Sequence, residues 1–213
     1  MSEKNYSAGM VKLSFWFLEF KKMIKLLNED KSFSDIKKLN QQKNIFSASS
    51  DLRANQIFTT LSKRVKSLDE SVYHLFEKLD VSNQKLIVLI SIMASDDLFF
   101  AFMHEVFREK IIYDTEELAD RDFNIFFKDK QLQSERVAGW QDDTIKRLAA
   151  SYKTILIEAG LLDLFESEDN GSENQMRKHT DRRILRPILD LNLEQYLKDH
   201  DMQIMINILT GVS

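Results

Sequence analysis

Arg53, Gln56, Thr60 and Lys63 fall at i, i+3, i+7 and i+10 within residues 32–66, SFSDIKKLNQQKNIFSASSDLRANQIFTTLSKRVK. On a helix those offsets place all four on one outward face. The chemistry such a face could do is recognition of duplex DNA. Arg bonds guanine O6 and N7 through both its donors, and Gln does the same to adenine. Lys37, Lys38, Lys43, Arg64 and Lys66 suit phosphates, which position a protein without reading sequence. The competing reading is a solvated helical face with ordinary basic residues, and the pattern alone leaves both open.

A second basic set lies further on. Lys146, Arg147 and Lys153 share the outer side of one helix, and Arg177, Lys178, Arg182 and Arg183 cluster in a turn-rich segment. Asp142, Asp143 and Glu158 oppose phosphate binding there, and Glu166, Glu168, Asp169 and Glu173 oppose it more strongly. An acidic surface with locally paired charges is the alternative.

Other chemistries fit the residues less well. His104-Glu105 begins like a zinc-binding His-Glu-x-x-His, but position 108 is Arg, so the second imidazole is missing. Asp96-Asp97 and Asp142-Asp143 sit where helix N-termini favour carboxylates, and capping accounts for them. None of the five glycines lies within four residues of another, so there is no phosphate-cradling loop. Cysteine is absent, which removes disulfides and thiolate nucleophiles and fits a reducing, cytoplasmic setting. We expect no catalytic residue, no metal and no cofactor.

The elements that must position these residues are helices nearly throughout. One proline and five glycines suit helices better than a many-turned β fold. Phe15, Leu18, Ile24 and Leu27 are expected on one face of a first helix. Ser32-x-x-Asp35 resembles a capping box opening a helix from Phe33 to about Lys43. Asn44–Ser50 is a turn, and a helix follows to about Lys66 with Ala54, Ile57, Phe58, Leu61 and Val65 inward. That is a helix-turn-helix, whose second helix enters the major groove. Leu86–Met93 is apolar almost all round, as a central core helix is. Further helices are expected to begin at Ser67–Glu70, Ser82, Asp96 or Asp97, and Asp120, with the phenylalanines between 99 and 127 packing in the core.

The second half repeats the theme. Asp120 opens a helix, Gln131–Trp140 is a polar turn, and Asp142–Ala159 is a strong helix stopped by Gly160. Leu161–Phe165 and Asp181–Pro187 then read as the strands of a hairpin around the polar stretch Glu166–Thr180, giving the element order of a winged helix. One or two helices close the chain (Leu193–Lys198 and Met202–Leu209). The expected fold class is all-α, with two helix-turn-helix-like modules, the second carrying a short β-hairpin wing. The expected organisation is 1–66 as the basic module, 67–115 as central apolar helices and 116–213 as the winged-helix-like module with the C-terminal helices, in one compact unit.

Charge is segregated along the chain. Residues 1–66 hold 13 Lys+Arg against 6 Asp+Glu, and the remaining 147 hold 17 against 28, so a net of +7 precedes a net of −11. Such polarity steers charged partners. No apolar run approaches the roughly 20 residues needed to cross a bilayer, and no secretory leader is recognisable in MSEKNYSAGMVKLSFW.

Several stretches taken in order resemble the BrxA family, the small non-enzymatic component of BREX bacteriophage-exclusion systems. They are Tyr6-Ser7-Ala8-Gly9, Phe102 through Lys110 (FMHEVFREK), Phe126-Phe127, Val137-Ala138-Gly139-Trp140 with Thr144 and Lys146, Leu156 through Leu162 (LIEAGLL), and Arg186-Pro187. The resemblance implies an all-helical fold with helix-turn-helix elements, binding to double-stranded DNA, and action beside other phage-exclusion proteins. Some members of that family are likened to the RNA-binding antitermination factor NusB. Protein–protein adaptor and RNA binder are the alternatives to a DNA binder. The acidic stretch Glu166–Glu173 departs from the family pattern at the wing.

Overall fold

The computed structural model describes residues 6–167 and 179–212. Helices dominate, with one two-stranded antiparallel sheet. The expected fold class, all-α with a β-hairpin, is the one observed.

The first three helices are α1 (Phe17–Asn28), α2 (Phe33–Lys43) and α3 (Asp51–Lys66). The capping box at α2 forms: Ser32 Oγ accepts from Asp35 N–H, and the Asp35 carboxylate accepts from Ser32 N–H, both at 3.2 Å. Ser50 caps α3 by accepting from Arg53 N–H. Between them Asn44 takes a left-handed conformation at φ 44°, which asparagine tolerates. Its amide donates to Ala48 O at 2.7 Å and accepts from Ala48 N–H at 2.9 Å. Phe46 plugs the turn from inside. Buried Asn40 donates from α2 to Ala54 O of α3 at 2.9 Å, fixing the angle between the two helices.

On α1 the buried residues are Phe20, Met23 and Ile24. Leu18, expected in that stripe, is 74% exposed. The helix starts only at Phe17, so Phe15 lies outside it and cannot set its phase. Trp16 at its N-cap has φ 56°, an unusual conformation for a bulky side chain. That turn lets both Phe15 and Trp16 face inward.

The centre is α5 (Val81–Ser95), opened by Asp80, whose carboxylate accepts from Asn83 N–H at 2.8 Å. Leu86 through Met93 are all buried. The preceding α4 (Val72–Lys78) packs on α1 and α5. At Asp96 the chain bends by 109°. It then runs through α6 (Asp97–Phe102), a π turn at Met103–Phe107 and α7 (Arg108–Ile112). No single described helix is long and apolar enough to cross a membrane.

The phenylalanines do form core. Phe102 stacks on Phe123 at 4.8 Å between ring centroids and meets Phe126 edge-on at 5.3 Å, while Phe99 meets Tyr152 edge-on at 4.9 Å. Each fully buried side chain of this size contributes about 1.5–3 kcal/mol. These rings tie α6 to α8 (Asp120–Gln133) and α10 (Asp142–Glu158), and the buried residues form one continuous cluster.

The stretch Gln131–Trp140, expected as a polar turn, is more ordered than that: α8 runs to Gln133 and α9 spans Glu135–Ala138. Buried Val137 and the buried Lys130 stem supply the apolar contacts that turn composition hid. Strands β1 (Leu162–Ser167) and β2 (His179–Ile184) pair antiparallel, Leu162 opposite Ile184. Residues 116–118 add a short third edge: Leu118 N–H donates to Arg182 O at 3.1 Å, and Ile184 N–H to Glu116 O at 2.7 Å. Three residues are too few to show a strand alternation in sequence. Finally α11 (Leu191–Asp199) and α12 (Gln203–Thr210) pack against each other, and α12 against α7.

Candidate nucleic-acid interface

The outward face expected on α3 is partly covered. Residues 6–16, including a 3-10 turn at Gly9–Lys12, lie between α3 and α10 and act as a strap. Arg53 donates to Lys12 O at 3.0 Å and to Gln56 Oε1 at 2.7 Å. Its guanidinium also lies 4.9 Å from the centre of the Trp16 ring. Gln56 reaches toward the same Lys12 carbonyl at 3.5 Å. Thr60 is half-buried. Lys63 is exposed but donates to Ser95 O, joining α3 to the end of α5. The side chains placed for base readout are therefore occupied with the protein's own backbone.

Arg64 requires a correction. Expected as a phosphate contact, it is 1% exposed. It donates to Phe15 O at 2.9 Å, and its guanidinium lies 5.6 Å from the Trp16 ring centre. Burial pushes it down to about 10, while nearby Asp96 opposes that shift. It stays charged at neutral pH. Asp96 caps α6 by accepting from Phe99 N–H at 2.9 Å, and burial raises its pKa. Two α3 arginines on one tryptophan ring help hold the strained turn at Trp16. Three consecutive aromatics, Phe15-Trp16-Phe17, cannot all face one way on a helix, and here α3 is what Trp16 meets.

The cations that stay outward come from α2 and the ends of the module. Lys37, Lys38 and Lys43 are exposed and have no ion-pair partner among the described residues. Lys66 is exposed and lies 4.6 Å from the Phe33 ring centre.

In the second module Lys146 is exposed and without an ion-pair partner among the described residues, and Arg147 is exposed with a loose contact to Asp143 at 3.8 Å. Lys153 and Arg182 converge instead on one carboxylate, Asp120, at 2.7 and 2.6 Å. The Lys153 hydrogen bond, then that of Arg182, holds the Asp120 carboxyl below its usual range. Asp120, expected to cap α8, thus serves as a clamp. The N-cap residue is Ala119, whose N–H donates to Asp122 at 2.8 Å. Arg183 faces Asp163 at 3.8 Å. Arg177 and Lys178, with most of the expected Glu166–Thr180 turn, lie outside the described residues.

No described residues form a group of three or more His, Asp or Glu able to hold a metal. His104 stacks on Phe100. Ser71, His200 and Asp69 lie together, yet they do not form a relay. Ser71 donates straight to Asp69 at 2.7 Å, and His200 Nε2 faces both Asp69 (3.2 Å) and Ser71 (3.4 Å). A relay needs the serine and the acid on opposite ring nitrogens, but here Nδ1 meets Tyr196 O.

Fold and site define an all-helical protein with two helix-turn-helix-like modules, a strap between them and basic side chains on their outer helices. The chain matches the family model BrxA over residues 4–201. It is 36% identical over 211 residues to the BREX protein BrxA of Bacillus cereus (strain H3081.97), covering 99% of both chains. It belongs to the BrxA family. Its fold is also that of a crystal structure of an uncharacterized protein from Magnetospirillum magneticum, with TM-score 0.73 and 15% identity over 97% of this chain and 99% of that one.

Proposed function

We propose that this chain is a double-stranded DNA-binding component of a bacterial BREX phage-exclusion system, acting in the cytoplasm without chemistry of its own. Its grip is on phosphates, and base readout is small. The observation that carries the reading is that the α2 lysines Lys37, Lys38 and Lys43 are exposed and without an ion-pair partner among the described residues, beside a helix whose Arg53 and Gln56 are already engaged. Cations with such freedom gain by displacing the counterions of DNA, whereas engaged side chains read no bases. Lys146 and Arg147 supply the second grip. Residues 108–184 run helix, bridging edge at 116–118, helix, the single-turn α9, helix, hairpin; apart from the inserted α9 that is the order of a winged helix, and it supports a second DNA-facing module. The relative named as a BREX protein supports the setting.

The test is the salt dependence of duplex binding, followed by fluorescence anisotropy. Each phosphate contact contributes about 0.9 to the slope of log K against log salt, so K37A/K38A/K43A should lower the slope by about 2.7. A slope equal to that of the unaltered chain would remove α2 as the contact surface.

A further inference from the structure

Along α7 and α8 lies a groove of about 390 Å³. Val106, Tyr113, Ile125 and Phe126 line it with apolar surface. Tyr113 is 75% exposed and Ile125 59% exposed, and Leu132, two turns further along the same side of α8, is 81% exposed. Large apolar side chains repeating at i, i+7 on an outer helical face mark a contact surface more than a solvated one. Part of one wall is the π turn at Met103–Phe107, a rare form that recurs at functional sites. The same stretch, Phe102–Lys110, carries part of the resemblance to the family, and DNA binding makes no use of it.

The charges of the groove are one-sided. Its lining holds four carboxylates, Glu105, Glu109, Asp122 and Asp129, and one lysine: Lys110 pairs with Asp122 at 2.8 Å, exposed Glu105 pairs with buried Lys130 at 2.6 Å, and Arg121 and Lys128 lie exposed on α8 outside the lining. Two further carboxylates remain. Glu109 has only the loose contact of Arg108 at 3.8 Å, and Asp129 has no ion-pair partner among the described residues. An entering Lys or Arg would lay its aliphatic stem on Ile125 and Tyr113 and bring its charge to Glu109 and Asp129. DNA has the wrong sign for this surface.

We propose that this groove is a docking site for a basic amphipathic helix of a partner protein. A second copy of this chain fits less well. Its own basic helix α2 turns Ile36 into the core and leaves Phe33 and Leu39 half-covered, so it offers no exposed apolar stripe to fill the groove floor. The proposal goes beyond DNA binding and stands without it.

The experiment uses the full chain and two synthetic peptides of about four helical turns, one patterned Leu/Lys and one Leu/Glu. Amide shifts of the labelled protein are followed during titration. The Leu/Lys peptide should bind saturably and move Tyr113, Ile125 and Asp129 first, and E109K/D129K should weaken it about tenfold or more. Both side chains are at least partly solvent-facing, and the variant's fold is checked by its helicity and its thermal unfolding. Three results would overturn the proposal: equal binding by the Leu/Glu peptide, shifts spread over the acidic surface without focus on the groove, or self-association that I125D abolishes while neither peptide binds.

Discussion

Replacing Arg64 by Met separates two roles for a basic residue on α3. If Arg64 met a phosphate, R64M would weaken DNA binding, lower the salt slope by about 0.9, and leave stability nearly unchanged. Its position predicts the reverse. The guanidinium is 1% exposed, donates to Phe15 O at 2.9 Å and lies against Trp16. Removing one partner of such a buried charged contact costs about 3–5 kcal/mol, because Phe15 O and Asp96 lose their compensation. Part of that returns. Arg64 Nη2 is buried with no hydrogen-bond partner among the described residues, and Met removes the desolvation cost of the buried charge. The net loss should be about 2–4 kcal/mol, since Met keeps the volume but not the charge. For a chain of this size that lowers the melting temperature by about 4–16 °C. The assay is thermal unfolding followed by helical circular dichroism, with the salt slope measured on the same sample below the transition. R64K, which keeps the charge but not the planar fork, should fall between. A melting temperature within about 2 °C of the unaltered chain, together with a reduced slope, would refute the reasoning.

Two other substitutions follow from the same bookkeeping of charges and hydrogen bonds. D120N should free Lys153 and Arg182 for phosphates, raising the salt slope by up to about 1.8, while costing only about 0–1 kcal/mol as a surface cluster. Because Asp120's folded pKa is depressed, the clamp's stabilisation is full above the unfolded carboxylate value near 4 and fades as pH falls below it. The melting difference between D120N and the unaltered chain should therefore shrink between about pH 5 and 3, and a difference that grows instead would contradict this. Tyr152 is fully buried with a hydroxyl that has no hydrogen-bond partner among the described residues, and burial raises its pKa well above normal. Y152F should leave stability unchanged or raise it by up to about 1 kcal/mol. A loss of that size in chemical denaturation would mean that the hydroxyl has a partner.

Local signals were legible where a few neighbouring residues settle the matter. Ser32 and Asp35 announced a helix start, Leu86–Met93 announced a core helix, and the phenylalanines at helical spacing announced packing. The hairpin showed itself through Leu161–Phe165 and the returning arginine-rich segment. Caps, periods and turns are interactions within one or two helical turns, so residue order encodes them directly. The family stretches are likewise strings of adjacent residues.

The fate of each cation was a different kind of question. Arg53, Lys63 and Arg64 look alike in the sequence. One of them grips Lys12 O, one Ser95 O and one Phe15 O, and these acceptors are 41, 32 and 49 residues away. Lys153 and Arg182 looked like DNA contacts until Asp120 appeared between them. The sequence by itself determined that the chain is helical, where most helices begin, and that its first third is cationic. Only the tertiary structure decided which of those cations face water, because an ion's solvent and its counter-charges are set by atoms brought together across the whole chain.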